Sequence, residues 1–210
     1  MNTLNTIVEY FAILIVIITI HEFSHAWAGN ALGDVTAKRE GRLTLNPLAH
    51  IDPVFTLLMP AVLILLGSPI VFGAAKPVPF NPYAVRYGKY GAALIALAGP
   101  TSNLLMASVV GLYLRLIPIH DGVALTFATT FVVVNLAFFV FNMIPFPPLD
   151  GSRVLYAVAP PALADAMERI ERFGLIGIVL ILFLLYPLIS PLILACVRGL
   201  CILILGHSPF

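Results

Sequence analysis

Apolar residues run through this chain in long stretches, with the polar positions gathered between them. The first stretch, 4–32, is long enough to cross a bilayer, since about 20 helical residues span the hydrocarbon. Gly33-Asp34 ends it. Stretches 91–117 and 125–144 predict two more spanning helices. Gly99-Pro100 marks a kink in the first of them, because a helix-interior proline frees a carbonyl. Residues 53–72 are uncharged and nearly long enough to cross; Pro53 suits a helix start, and Gly67-Ser68-Pro69 interrupts the end. Residues 173–205 form a last apolar stretch. Pro187 and Pro191 make it either one kinked span or a tight helical pair.

The connecting segments have other periods. Arg42-Leu43-Thr44-Leu45 alternates, which predicts a short strand, and Asn46-Pro47 signals a turn. Residues 73–90 are rich in Pro and Gly. Residues 142–151 hold three prolines, which break the helix before them. Residues 160–172 are polar and amphipathic, and belong at a surface. The pattern predicts an all-α integral membrane protein of about five transmembrane helices. A re-entrant or strand-like segment lies between the first and the next core helix. The expectation is one membrane-embedded domain over 1–210, with a core at about 4–153 and the amphipathic segment and apolar helix or pair at 160–205.

Composition sharpens the membrane assignment. The 210 residues are 60% hydrophobic and 10% charged, with a mean hydropathy of +1.04, whereas a soluble domain is about 25% charged. A net charge of +1 gives no electrostatic case for a nucleic-acid partner. The bilayer itself is the implied partner. Cys196 and Cys201 lie in the last apolar stretch, where packing is the better reading than a disulfide or a metal pair. The first stretch lacks a basic n-region and a small-residue cleavage site, so it reads as a retained span. Lys38, Arg39, Arg42, Lys76, Arg86, Lys89, Arg153, Arg169 and Arg172 fall in connections that one topology puts on the cytoplasmic side of a multi-pass cell-membrane protein. That topology needs an even number of crossings between residues 32 and 91. Residues 53–72 are then re-entrant, or cross and return through an extended 71–80.

Candidate chemistry begins inside the first helix, at His21-Glu22-Phe23-Ser24-His25. Two His at i and i+4 project from one face, one turn apart, as two ligands of one zinc ion do. Glu22 comes directly after the first ligand, which puts its carboxylate near the metal's open position, where it can take a proton from the attacking water. Ionisable groups beside an apolar span are costly unless they act. From His25 to Leu32 is 7 residues, about 10 Å of helix, so the metal would lie in the membrane toward the cytoplasm. Asp150 is the charged residue of 123–152. It supplies an oxygen as third ligand, or pairs at a helix end with Arg153. Gly151 lets the backbone come close. His50 either faces the site as a further polar group or is an interfacial His bonded to backbone.

HEFSH on a membrane helix, AGPTSN, and NMIPFPPLDG together resemble the site-2 protease family of intramembrane metalloproteases. The stretch GRLTLNPLAHIDP followed by FGAAKPVP is similar to its compact subgroup without PDZ or CBS domains. The resemblance implies one Zn2+ per chain on His21, His25 and Asp150, with Glu22 as catalytic base. It implies that Asn103 orients substrate or the oxyanion, with Asn142 supporting. The expected function is hydrolysis of peptide bonds in or near transmembrane segments of membrane-protein substrates. Two rivals stand beside it. A prenyl-protein type peptidase would draw its third ligand from Glu168 or Glu171. A catalytically inactive zinc-binding membrane chaperone or transporter would not need Glu22.

Overall fold

The computed structural model describes residues 3–65, 75–117, 119 and 121–209. It is helical, with no strand among the described residues. Four of its helices contain segments long and apolar enough to cross a membrane: Ile7–Ala31, Lys89–Leu116, Gly122–Asn142 and Leu184–Leu205. The fifth predicted stretch starts as a π-helix, Pro53–Leu58, and runs on as an α-helix to Leu65; residues 66–72 lie outside the described residues. The chain divides into two compact units, Met1–Arg86 and Tyr87–Phe210.

In the first unit, α1 is Thr3–Ala31. It stops where Gly33 takes a φ of 100°, which glycine adopts without a Cβ penalty. The Asp34 N–H then donates to the Gly29 carbonyl and the Gly33 N–H to the Asn30 carbonyl, closing the helix end. The buried Asp34 carboxylate anchors two other segments of the unit. It accepts from the Thr36 N–H and hydroxyl, at the start of α2 (Thr36–Arg39), and from the Asn81 N–H. Burial alone would push its carboxyl up; the Thr36 hydroxyl, the Asn81 N–H and the Thr36 N–H outweigh that and hold it below its usual range. α3 is Met59–Leu65.

The strand expected at Arg42–Leu45 is not there. Its ladder groups are spent locally: the Arg42 N–H donates to the Ala37 carbonyl, and the Thr44 carbonyl bonds the His50 ring. Asn46 accepts from the Leu48 N–H and caps a 3-10 turn, Pro47–Ala49. Alternation over four residues cannot outbid those local partners.

In the second unit, α4 is Lys89–Leu116 and α5 is Gly122–Asn142. Asp121 caps α5, accepting from the Val123 and Ala124 N–H groups. α6 is Asp150–Val158, α7 is Pro161–Glu171 and α8 is Gly174–Leu205. α8 is one helix with Pro187 and Pro191 inside it, so the alternative of a helical pair is set aside. Membrane helices keep such prolines because neighbouring groups take up the released carbonyls. Ala107, Val132, Leu136, Val197, Cys201 and Leu205 make the core between α4, α5 and α8. Gly111 is where the Ile204 side chain presses on α4. α7 is mostly exposed and is tied to α6 by Tyr156 to Glu168 (2.9 Å) and Arg153 to Glu171 (3.2 Å). The Glu168 carboxylate, by accepting from the Tyr156 hydroxyl, raises that phenol's pKa.

Candidate active site

His21 and His25 lie one turn apart on α1, both buried. Their rings meet edge to face, with centroids 4.6 Å apart and Nε2 atoms 3.1 Å apart. Two imidazole ligands at about 2.0–2.1 Å from a tetrahedral zinc stand about 3.3 Å apart. The pair therefore fits one zinc ion as two of its ligands. On the same helix, the Ser24 and Thr19 hydroxyls donate to the carbonyls of Ile20 and Ile15. Each is thereby satisfied within the apolar helix.

Glu22 is also buried, and its Oε2 accepts from the Val78 N–H at 3.2 Å. Val78 belongs to a segment without regular secondary structure that is fixed at several points. The Lys76 N–H donates to the His50 carbonyl (3.0 Å), and the Arg42 guanidinium donates to the carbonyls of Lys76 and Pro77. None of these contacts was foreseen from the sequence. The one available signal was Pro77-Val78-Pro79, a tripeptide with a single N–H. His50 is fully buried. Its Nε2 bonds the Thr44 carbonyl at 2.8 Å, and among the described residues its Nδ1 has no partner.

In the second unit, α5 ends at Asn142, whose Nδ2 donates to the Phe138 carbonyl of its own helix. The chain then turns tightly through Met143 to Leu149, with the Pro147–Pro148 bond cis. The Phe146 N–H donates to the Ile144 carbonyl and the Leu149 N–H to that of Phe146. Asp150 opens α6, where the helix N-terminus favours a carboxylate. Gly151 is required sterically: a Cβ there would stand 2.7 Å from the Ile144 carbonyl oxygen and closer still to the Met143 carbonyl. Asn103 is fully buried in α4, and its Nδ2 donates to Asn135 Oδ1 on α5 at 3.1 Å. The sequence placed Asn135 within a membrane helix but did not reveal this partner.

The chain is 37% identical over 179 residues to "Putative zinc metalloprotease YwhC" of Bacillus subtilis, a match covering 81% of this chain and 77% of that one. The chain belongs to the site-2 protease family of zinc metalloproteases. Two further members are named "Putative zinc metalloprotease Rip2". That of Mycobacterium tuberculosis H37Rv is 33% identical, over 81% of this chain and 64% of its own length. That of Mycolicibacterium smegmatis is 30% identical, over 78% and 62%. The chain thus spans about three quarters of YwhC and under two thirds of Rip2. No family model matches the chain, and no solved structure matches it. The site-2 protease motifs fall in this chain at two places: the His pair with Glu22 on α1, and the turn leading into Asp150.

Proposed function

We propose that the protein is an intramembrane zinc metalloprotease that hydrolyses peptide bonds in or near the transmembrane segments of membrane-protein substrates. One observation carries it: two buried imidazoles 3.1 Å apart, with Glu22 beside them, on a helix apolar enough to cross a membrane. His21, His25 and Asp150 would hold one zinc ion per chain, as a catalytic site with three protein ligands does. When bound, zinc polarises the scissile carbonyl and lowers the pKa of its water toward about 7. Glu22 accepts the water proton and delivers it to the leaving amine. Asn103 orients the substrate or its oxyanion, while Asn142 and His50 support the site through the backbone they bind. A helical substrate hides its carbonyls in its own hydrogen bonds, so it unwinds before it is cut. The site lies toward the cytoplasmic face of the cell membrane, since Lys38 and Arg39 come just after the end of α1.

The decisive comparison is wild type against Glu22→Gln, for zinc content and for cleavage of a model membrane substrate. Gln keeps the size and one carbonyl oxygen but cannot accept a proton at neutral pH. The variant should keep its zinc and bind substrate, yet lose about 10²–10⁴-fold in cleavage rate. Near-wild-type cleavage by the zinc-replete variant would defeat the mechanism, and no cleavage by the zinc-loaded wild type would favour the inactive chaperone or transporter.

A further inference from the structure

We infer that Arg42 is a positioning residue for the catalytic base, acting through the Pro77-Val78-Pro79 segment with Asp34 as the second anchor. The inference rests on the reading of Glu22 as the base. Prolines at 77 and 79 carry no N–H, so Val78 offers the one backbone donor of the tripeptide. That donor goes to Glu22 Oε2. On the N-terminal side, the Arg42 Nη2 donates to two consecutive carbonyls, Lys76 and Pro77, and the Lys76 N–H is held by the His50 carbonyl. On the C-terminal side, the Asn81 N–H donates to Asp34 Oδ2 at 2.7 Å.

Arg42 is 5% exposed, and a cation so buried is costly unless its hydrogen bonds are made. Its planar guanidinium is a rigid fork, suited to fixing two acceptors at once. The segment is therefore fastened on both sides of Val78, and the N–H between the fastenings is aimed. A donor on one carboxylate oxygen of Glu22 sets the plane of the group and leaves Oε1 for the water proton. General-base catalysis depends on that aim, and a misplacement of about 1 Å can cost about 10²-fold. Loss of the clamp should thus appear in kcat, with substrate binding and the metal ligands untouched.

The test uses the zinc-loaded full chain and a model membrane substrate. Arg42→Gln and Val78→Pro should each lower kcat by about 10- to 100-fold. KM should stay within about twofold and zinc content at the wild-type level. The double variant should be no slower than the slower single, because both act on one contact. Arg42→Lys, which keeps the charge and one donor site, should recover part of the loss. Arg39→Gln, which removes an exposed charge nearby, should keep wild-type kcat. A wild-type kcat in Arg42→Gln, a loss confined to KM or zinc, or losses that multiply in the double variant would each overturn the proposal. If Val78→Pro does not fold, the split between kcat and KM in Arg42→Gln and Arg42→Lys still decides. Glu22→Gln run in parallel separates the failures. An active Glu22→Gln removes the base assignment, whereas an inactive one beside a fully active Arg42→Gln removes only the positioning role.

Discussion

Gly151→Ala adds one methyl group where the turn into α6 has no room for it. The ideal Cβ stands 2.5 Å from the Met143 carbonyl carbon and 2.7 Å from the Ile144 carbonyl oxygen, with the Met143 oxygen nearer still. Real Cβ atoms essentially never come within 3.0 Å of another heavy atom in this way. The obstructing atoms are backbone, so no side-chain rotation relieves them. Overpacking costs about 1–3 kcal/mol, and the backbone obstruction puts this case at the top of that range. Replacing Gly by Ala in a helix returns about 0.5–1 kcal/mol. The net is a loss of about 2 kcal/mol, or about 4–8 °C in thermal midpoint for a chain of this size. Cleavage should fall further than stability, because the same displacement moves the neighbouring Asp150. Thermal unfolding in detergent, zinc content and cleavage should be measured together, with Gly199→Ala as the control. A Cβ at Gly199 meets nothing within 4 Å, and its midpoint should hold or rise. A Gly151→Ala protein with wild-type midpoint, zinc and rate would refute the steric reasoning.

His21→Ala, His25→Ala and Asp150→Ala should each strip the zinc while Glu168→Ala keeps it, read by metal analysis; full retention in Asp150→Ala would remove that residue from the site. Asp34 has its folded carboxyl below the unfolded value, near 3.9 for Asp, so its contribution to stability is present above that value and lost as pH falls through the folded one. Unfolding of wild type and Asp34→Asn, tracked from pH 7 downward, should therefore converge in acid, and a constant gap would contradict this. Cysteine labelling from the cytoplasmic side should reach positions near Lys38, Arg86 and Arg169, and a position near Asp121 should label only from outside. Outside labelling near Arg86 would mean that residues 53–72 make a simple crossing.

Local rules made much of this chain legible. The His pair was readable because a helical period alone brings His21 and His25 together, and the end of α1 was readable because Gly33 can take a positive φ. The short strand at Arg42–Leu45 was misread, since period-2 alternation says nothing about where Thr44 and Arg42 spend their backbone groups. Arg42 was counted as one of the cytoplasmic positive charges, although it is a buried fork on two carbonyls 34 and 35 residues away. Contacts at that separation leave no trace in a periodic pattern. The same holds for Val78 on Glu22, 56 residues distant, and for Asn103 on Asn135. Pro187 and Pro191 left open one kinked span or a helical pair, and the single helix α8 fits the first, since membrane neighbours take up the lost bonds.

The bond between Asn103 and Asn135 also limits how this protein can move. Each carboxamide is fully buried, and the second is itself tied to the Phe131 carbonyl of its own helix. Sliding α4 along α5 by one helical turn, about 5.4 Å, would break this bond and take from Asn135 Oδ1 the donor that α4 brings it. The pair is therefore a registration pin that opposes shear between the two helices. Whatever opening admits a substrate is made by elements other than a sliding α4 and α5, and a probe of distance along that helix pair should record no change when the enzyme is working.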